Sequence, residues 1–220
     1  MLKKLNSEAA ELIGMHTGDG TLYKTRSGIV WELRGGLNEK EYYISHVKGL
    51  LESLFKGEIF KPKFRSGGKN GCFGIQTCNK KVSSFFMEYD FKPRRKTHSV
   101  RIYDYIKNAN KKIQFAYLRG LFDTDGHLRF ERINNNPNYT YPKIELSSAS
   151  LKLRDDVFDL LKKLGYKVCR WGNKYYALCI MGKDNLEKFM KEISFKNKKH
   201  LNKYVFWKEH GHNNPNAEVA

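Results

Sequence analysis

The sequence predicts an α+β protein made of two pseudo-symmetric αββαββα units, each with an antiparallel four-stranded sheet, around two central packed helices. Three observations carry this. A nine-residue stretch occurs twice, as Leu12-Ile13-Gly14-Met15-His16-Thr17-Gly18-Asp19-Gly20 and as Leu118-Arg119-Gly120-Leu121-Phe122-Asp123-Thr124-Asp125-Gly126, sharing Leu first, Gly third and Asp-Gly last. The copies are offset by 106 residues at Gly14/Gly120 and at Asp19/Asp125, far beyond the ~20–50-residue period of a solenoid. After each copy the apolar spacing alternates between strand and helix periods in the same order. The expected units are 1–109 and 110–207, with 208–220 as a flexible C-terminal tail.

In the first unit, Asn6-Ser7 supplies N-cap residue types ahead of the first motif helix. Gly20 is the expected left-handed residue closing it. Thr21–Ser27 reads as a strand and Gly28 as a turn. Ile29, Trp31 and Leu33 then alternate with Val30, Glu32 and Arg34 in a half-buried strand. Asn38 is the expected cap of a helix carrying Tyr42, Tyr43, Val47, Leu50, Leu51, Leu54 and Phe55. Lys61, Lys63 and Arg65 recur at period two, Gly67–Gly71 reads as a hairpin turn, and Phe73 and Ile75 return with Gln76 opposite. A last helix, Val82–Tyr89, leads into Phe91-Lys92-Pro93-Arg94-Arg95-Lys96.

The second unit repeats this order. Asn110 precedes its motif helix and Gly126 is its expected left-handed closure. His127–Ile133 and Tyr141–Ser147 read as strands about a polar loop, with Lys143, Glu145 and Ser147 on one face and Ile144 and Leu146 on the other. Ser150 caps a helix ending at Gly165. Tyr166–Trp171 and Tyr175–Ile180 pair across Gly172-Asn173, and the helix Leu186–Ile193 leads to Phe195-Lys196-Asn197-Lys198-Lys199.

Bulk properties narrow the partners. Lys and Arg number 41 against 23 Asp and Glu, a net charge of +18 that favours a polyanion, nucleic acid first. No apolar run approaches the ~20 residues of a membrane span, and Met1–Asn6 lacks the apolar core of a signal peptide. An intracellular protein, cytoplasmic or organellar, is expected. The four cysteines form no Cys-x-x-Cys pair, which favours reduced thiols over a zinc site.

The acid before each closing glycine is the odd feature. A carboxylate at a helix C-terminus meets the negative end of the macrodipole, so its repetition calls for a cation. Gly14 with Gly18, and Gly120 with Thr124, lie four apart and give each helix a small-residue strip where another backbone can approach. Packed about a two-fold axis, the strips would bring Asp19 and Asp125 together, where repulsion favours divalent metal. Either Asp alone reads first as an ordinary helix-end residue capping a turn; it is the matched pair that favours the metal.

The pair of motifs resembles those of the single-chain, two-motif LAGLIDADG homing endonucleases. Phe122-Asp123-Thr124-Asp125-Gly126 is the closer copy; the first departs at His16 and Thr17 but keeps Gly18-Asp19-Gly20. The resemblance implies a site-specific, metal-dependent double-strand break in a long, asymmetric double-stranded DNA target, made by an intron-encoded or free-standing monomer. It implies Asp19 and Asp125 as Mg2+ ligands, two or more ions with Mn2+ as substitute, and the Gly18 and Thr124 carbonyls as further ligands. It also places a basic residue after each unit's last helix, here Lys96 and Lys199. The sheets would form a saddle entering the major groove, with Tyr23, Thr25, Glu32, Arg34, Lys61, Lys63, Arg65, Gln76, Arg129, Asn135, Asn136, Lys143, Glu145, Ser147, Arg170 and Lys174 as DNA-contact candidates. The alternative is an intron RNA maturase or DNA-binding regulator on this scaffold without cleavage.

Overall fold

A computed structural model describes residues 5–66, 71–133, 137–171 and 177–213. By contact, residues 1–96 with 112–124 cluster as one unit, and 97–111 with 125–220 as the other. The second motif helix thus groups with the first unit, and the connecting segment with the second.

In the first unit, α1 (Ser7–Thr17) is capped by Asn6, whose Oδ1 accepts from the Ala9 amide at 2.8 Å. Strands β1 (Thr21–Thr25), β2 (Gly28–Gly35), β3 (Lys63–Arg65) and β4 (Cys72–Thr77) form an antiparallel sheet in the order β1-β2-β4-β3. Between β2 and β3 runs one irregular helical stretch: a 3-10 turn Leu37–Glu39, α2 (Lys40–Tyr42), a π turn Tyr43–Val47 and α3 (Lys48–Leu54). Gly36, not Asn38, stands at its start, donating its amide to the Glu39 carboxylate at 2.7 Å. Helix α4 (Lys80–Glu88) is capped by Asn79. Leu22, Trp31, Leu33, Phe73 and Ile75 are buried on one side of the sheet, with Trp31 stacked on Phe86 of α4.

Helix α6 (Lys111–Thr124) packs on α1 through the two motif glycines. A Cβ on Gly14 would meet the Tyr117 carbonyl oxygen at 2.0 Å, and one on Gly120 the Glu11 carbonyl oxygen at 2.0 Å. Only a hydrogen fits at either place. Gly18 is the C-cap of α1, donating to the Gly14 carbonyl, while Thr124 bonds back within its own helix to the Gly120 and Leu121 carbonyls. The expected left-handed glycines are a correction: neither Gly20 nor Gly126 has positive φ. Gly20 is required for another reason, since a Cβ there would fall 2.2 Å from His16 Nδ1. Gly126 already opens a strand.

The second unit repeats the topology. Strands β5 (Gly126–Glu131), β6 (Tyr141–Ser147), β7 (Val168–Trp171) and β8 (Ala177–Met181) take the order β5-β6-β8-β7. Helix α7 (Leu151–Lys163) is capped by Ser150, and α8 (Lys183–Glu192) follows β8. The connecting segment, with its short α5 (Asp104–Lys107), is tied to α7 through Asp156, which accepts from the Ile102 amide and from Lys107. Leu128, Phe130, Ile144, Leu146, Leu178 and Ile180 are buried on one side of the sheet.

A further helix, α9 (Lys198–His210), occupies what the sequence suggests is loop and tail. Asn197 caps it, and Trp207 anchors it, the ring 5.7 Å from Phe130 and Nε1 donating to the Thr140 carbonyl at 3.1 Å. Beyond it, the Asn213 amide donates to the Tyr139 carbonyl at 2.8 Å. No helix among the described residues is long and apolar enough to cross a membrane.

Candidate active site and nucleic-acid interface

Each motif helix delivers its aspartate at the junction with the first strand of a sheet. Asp19 is exposed, one residue past the cap of α1, and Asp125 is half-buried between α6 and β5. Beside the first, Lys96 donates its ammonium to the Thr17 carbonyl at 2.7 Å and the Gly18 carbonyl at 2.5 Å. The negative end of the α1 macrodipole thus gathers a cation. The Tyr43 hydroxyl is pushed well above its ordinary pKa by burial first, then by the Asp19 charge.

His16, where the motif departs from its resemblance, is core. It is buried, accepts from Trp31 Nε1 at 3.2 Å, and lies between the rings of Phe86 and Phe91. Burial, then the Lys96 charge, holds its pKa well below the usual value, so at neutral pH it is an uncharged acceptor.

In the second unit Lys199 is half-buried in the first turn of α9. Its neighbour His200 is buried against Phe195 and accepts from the Leu128 amide at 3.4 Å. Burial, then Lys199, lowers the His200 pKa. His127, two residues after Asp125, has an exposed surface, and partial desolvation of its ring, then the Lys203 charge, hold its pKa below the usual value, with Glu145 opposing. Sequence reasoning missed His127, His200 and Lys203; the signal available was the position of His127, immediately beyond the motif.

The face of the first sheet away from its core carries Tyr23, Thr25, Glu32, Arg34, Lys63, Arg65 and Gln76, as strand register requires: Glu32 pairs with Thr21 and Gln76, and Lys63 and Arg65 with Gly74 and Cys72. Five of these are linked. Gln76 Nε2 donates to Tyr23 Oη at 2.7 Å, and Tyr23 Oη to Glu32 at 3.2 Å. Arg34 and Arg65 lie 2.6 and 3.7 Å from the same carboxylate. Lys61, Lys63 and Thr25 are exposed, the Thr25 hydroxyl closing the β1–β2 turn onto the Gly28 carbonyl.

On the second sheet, Arg129 bridges Glu131 at 2.8 Å and Glu145 at 2.7 Å, and Ser147 is exposed on the same side. Two expectations need correction. Arg170 lies on the opposite face, because strand register sets it across from the core residue Leu178, and there Asp155 of α7 pairs with it at 2.9 Å over the Phe158 ring. Lys143 is on the expected face but buried, its ammonium 2.5 Å from Glu131, a partner not foreseen although it shares the period-two face of Arg129. Asn135, Asn136 and Lys174, residues 67–70 of the first expected hairpin turn and residues 172–173 of the second lie outside the described residues, while Gly71 has the positive φ of a turn glycine.

Among the described residues no three His, Cys, Asp or Glu side chains group to hold an ion. A metal at Asp19 would therefore draw on a carboxylate with backbone carbonyl oxygens. Carboxylate and carbonyl oxygens are the hard donors Mg2+ takes, so these donor types fit the ion; the Thr17 and Gly18 carbonyls here accept from the Lys96 ammonium.

This arrangement, a repeated αββαββα unit with an acid at the end of each motif helix, defines a class. Residues 112–194 match the model of a LAGLIDADG-like domain, and the chain as a whole has the fold of single-chain LAGLIDADG homing endonucleases. It is similar to I-DmoI in complex with DNA and Mn (16% identity, TM-score 0.58, covering 87% of this chain and 98% of that one). It is also similar to I-WcaI bound to its DNA recognition sequence (16%, TM-score 0.60, 87% and 82%). Similar too are I-DmoI in complex with DNA and Ca, and an I-DmoI variant in complex with its target DNA in the presence of Mg. Among curated proteins, the uncharacterised MJ1054 of Methanocaldococcus jannaschii is 29% identical over 74% of this chain and 17% of its own length. MJ0314 of the same organism, also uncharacterised, is 27% identical over 79% and 63%. The chain thus spans less than two thirds of either relative.

Proposed function

We propose that the chain is a site-specific DNA endonuclease, acting inside the cell as a monomer that carries both motifs, and making a metal-dependent double-strand break. The observation that carries this is the recurrence of an aspartate at the same helix–strand junction in both units, next to a sheet with a basic, hydrogen-bonding face. A carboxylate repeated at the end of each motif helix, where the macrodipole already disfavours negative charge, suits a bound divalent ion rather than contact with phosphate alone. The DNA in the structures of I-DmoI and I-WcaI supports double-stranded DNA as the partner.

In this reading Asp19 and Asp125 hold divalent ions, with the Gly18 and Thr124 carbonyls as further oxygen ligands. Bound Mg2+ supplies charge neutralisation at phosphorus and a lowered pKa for coordinated water. Lys96 shares the Gly18 carbonyl and places a fixed positive charge beside Asp19, suited to steadying the phosphate as charge builds on it. Lys199 has the corresponding role in the second unit. Lys61, Lys63 and Arg65 hold the backbone, which sets affinity, while Gln76 and the arginines address base edges.

The test is incubation of the purified chain with a plasmid library carrying candidate targets, in Mg2+, Ca2+ or EDTA. Linear product in Mg2+, retained complex without cutting in Ca2+, and neither cutting in EDTA is the expected pattern. Sequence-selective binding without cleavage in Mg2+ or Mn2+ would make it the non-cleaving regulator or maturase instead.

A further inference from the structure

Three acids, Glu32, Glu131 and Glu145, stand on the sheet faces where an interface for phosphates would carry only cations, and two of them correspond between the units. Glu32 pairs in register with Thr21, two residues after Asp19, and Glu145 with His127, two residues after Asp125. The two glutamates therefore occupy one equivalent place in both units. The residue four after each motif aspartate donates to it: Tyr23 Oη to Glu32 at 3.2 Å, and Arg129 Nη2 to Glu145 at 2.7 Å. Both carboxylates are half-buried, with side-chain exposures of 15% and 16%. A carboxylate facing phosphate weakens attraction, so its recurrence needs another use.

We infer that Glu32 and Glu145 are positioning residues for base recognition. Glu32 fixes a cluster of donors and Glu145 a single arginine, so that the two units read different base patterns from the same place in the fold. The inference rests on the DNA-binding reading above. Unrestrained, an arginine or glutamine on this surface would sample many rotamers and settle on the nearest phosphate, a contact without sequence information. Glu32 holds Arg34 directly and Tyr23 by its hydroxyl, and Tyr23 in turn holds Gln76. That leaves the outward edges of the Arg34 guanidinium and the Gln76 amide oriented, which bidentate recognition of guanine or adenine requires. Glu145 holds Arg129, whose other side is fixed by Glu131. Ordering these side chains before DNA arrives removes a cost otherwise met on binding. Where the first unit has a tyrosine, the second has an arginine, so the device is shared and the chemistry read is not.

The experiment is selection of bound sequences from randomised duplex in Ca2+, with the full chain and its Glu32→Gln, Glu32→Ala, Glu145→Gln and Glu145→Ala variants, each checked for wild-type unfolding in urea. The glutamine changes keep the side-chain shape should alanine impair folding. Glu32 variants are expected to lose about tenfold in base preference at several adjacent positions in one half of the target, leaving the other half unchanged. Glu145 variants should do the reverse. Lys61→Ala, a phosphate contact, should instead reduce the salt slope by about 0.9 and leave preferences alone. Unchanged preferences in the glutamate variants would overturn the inference. So would a change limited to one cytosine, which would make the carboxylate a direct reader of that base. No preference in the wild type would sink the DNA reading itself, and the inference with it.

Discussion

Replacing Gly14 with alanine adds one methyl group where α1 and α6 touch. That carbon would lie 2.0 Å from the Tyr117 carbonyl oxygen and 3.0 Å from the Leu121 amide nitrogen, about 1.4 Å inside the 3.4 Å at which ordinary contact begins. Both atoms are helix backbone and cannot swing aside, so the helices must separate by about that distance. A gap of even 0.5–1 Å forfeits roughly a quarter to a half of each dispersion contact, and Ile13, Met15, Leu118 and Leu121 are all fully buried around it. Overpacking of this kind costs about 1–3 kcal/mol, here at the upper end. Against it stands a gain of about 1 kcal/mol, because alanine favours helix over glycine. The net is a loss of roughly 2 kcal/mol, a large part of a ~5–15 kcal/mol stability. Gly49 is the internal control: a Cβ there meets nothing within 4 Å, so Gly49→Ala should stabilise by up to about 1 kcal/mol. Urea unfolding of the three proteins measures both signs. A Gly14→Ala protein as stable as wild type, or as Gly49→Ala, would refute the close contact.

Three other perturbations follow from the same geometry. Lys96→Met removes the cation from the Thr17 and Gly18 carbonyls, and should lower single-turnover cleavage by about 100-fold or more while Ca2+-supported binding persists; wild-type cleavage would remove Lys96 from the site. His16 and His200 are both buried with lowered pKa, so the unfolded chain takes up protons that the folded one refuses. Their contribution is therefore complete above the unfolded value near 6.5 and lost as pH falls below it, at up to about 1.4 kcal/mol per pH unit for each. Urea midpoints at pH 7 and pH 5 check this, and His200→Gln should flatten the fall; equal slopes in both proteins would contradict it. With a net charge of +18, DNA affinity should drop steeply between low and moderate salt, and a flat titration would exclude a phosphate-binding face.

Much of the architecture is legible in the sequence because local signals agree. The caps Asn6 and Ser150 sit where their side chains accept the first free amides, and period-two spacing puts Glu32 and Arg34 opposite Trp31 and Leu33. The motif glycines announce helix contact because only they lack the atom that would collide. Other features depend on partners distant in sequence. Arg170 looks like any cation on a strand, and only its register with Leu178 of β8 shows that it serves the helix-covered side, where Asp155 meets it. Helix α9 hides behind Lys198, Lys199, Lys203 and Lys208, since its burial rests on little more than His200 and Trp207. The role of Gly20 is invisible without the His16 ring, which itself looks polar in the chain and proves to be an acceptor for Trp31.

The most direct measurement is strand cleavage by Asp19→Asn and Asp125→Asn, each compared with wild type on the selected target in Mg2+, with complex formation followed in parallel in Ca2+. The account predicts that either substitution abolishes the linear product and leaves the complex intact. Wild-type amounts of linear product from either variant would contradict it.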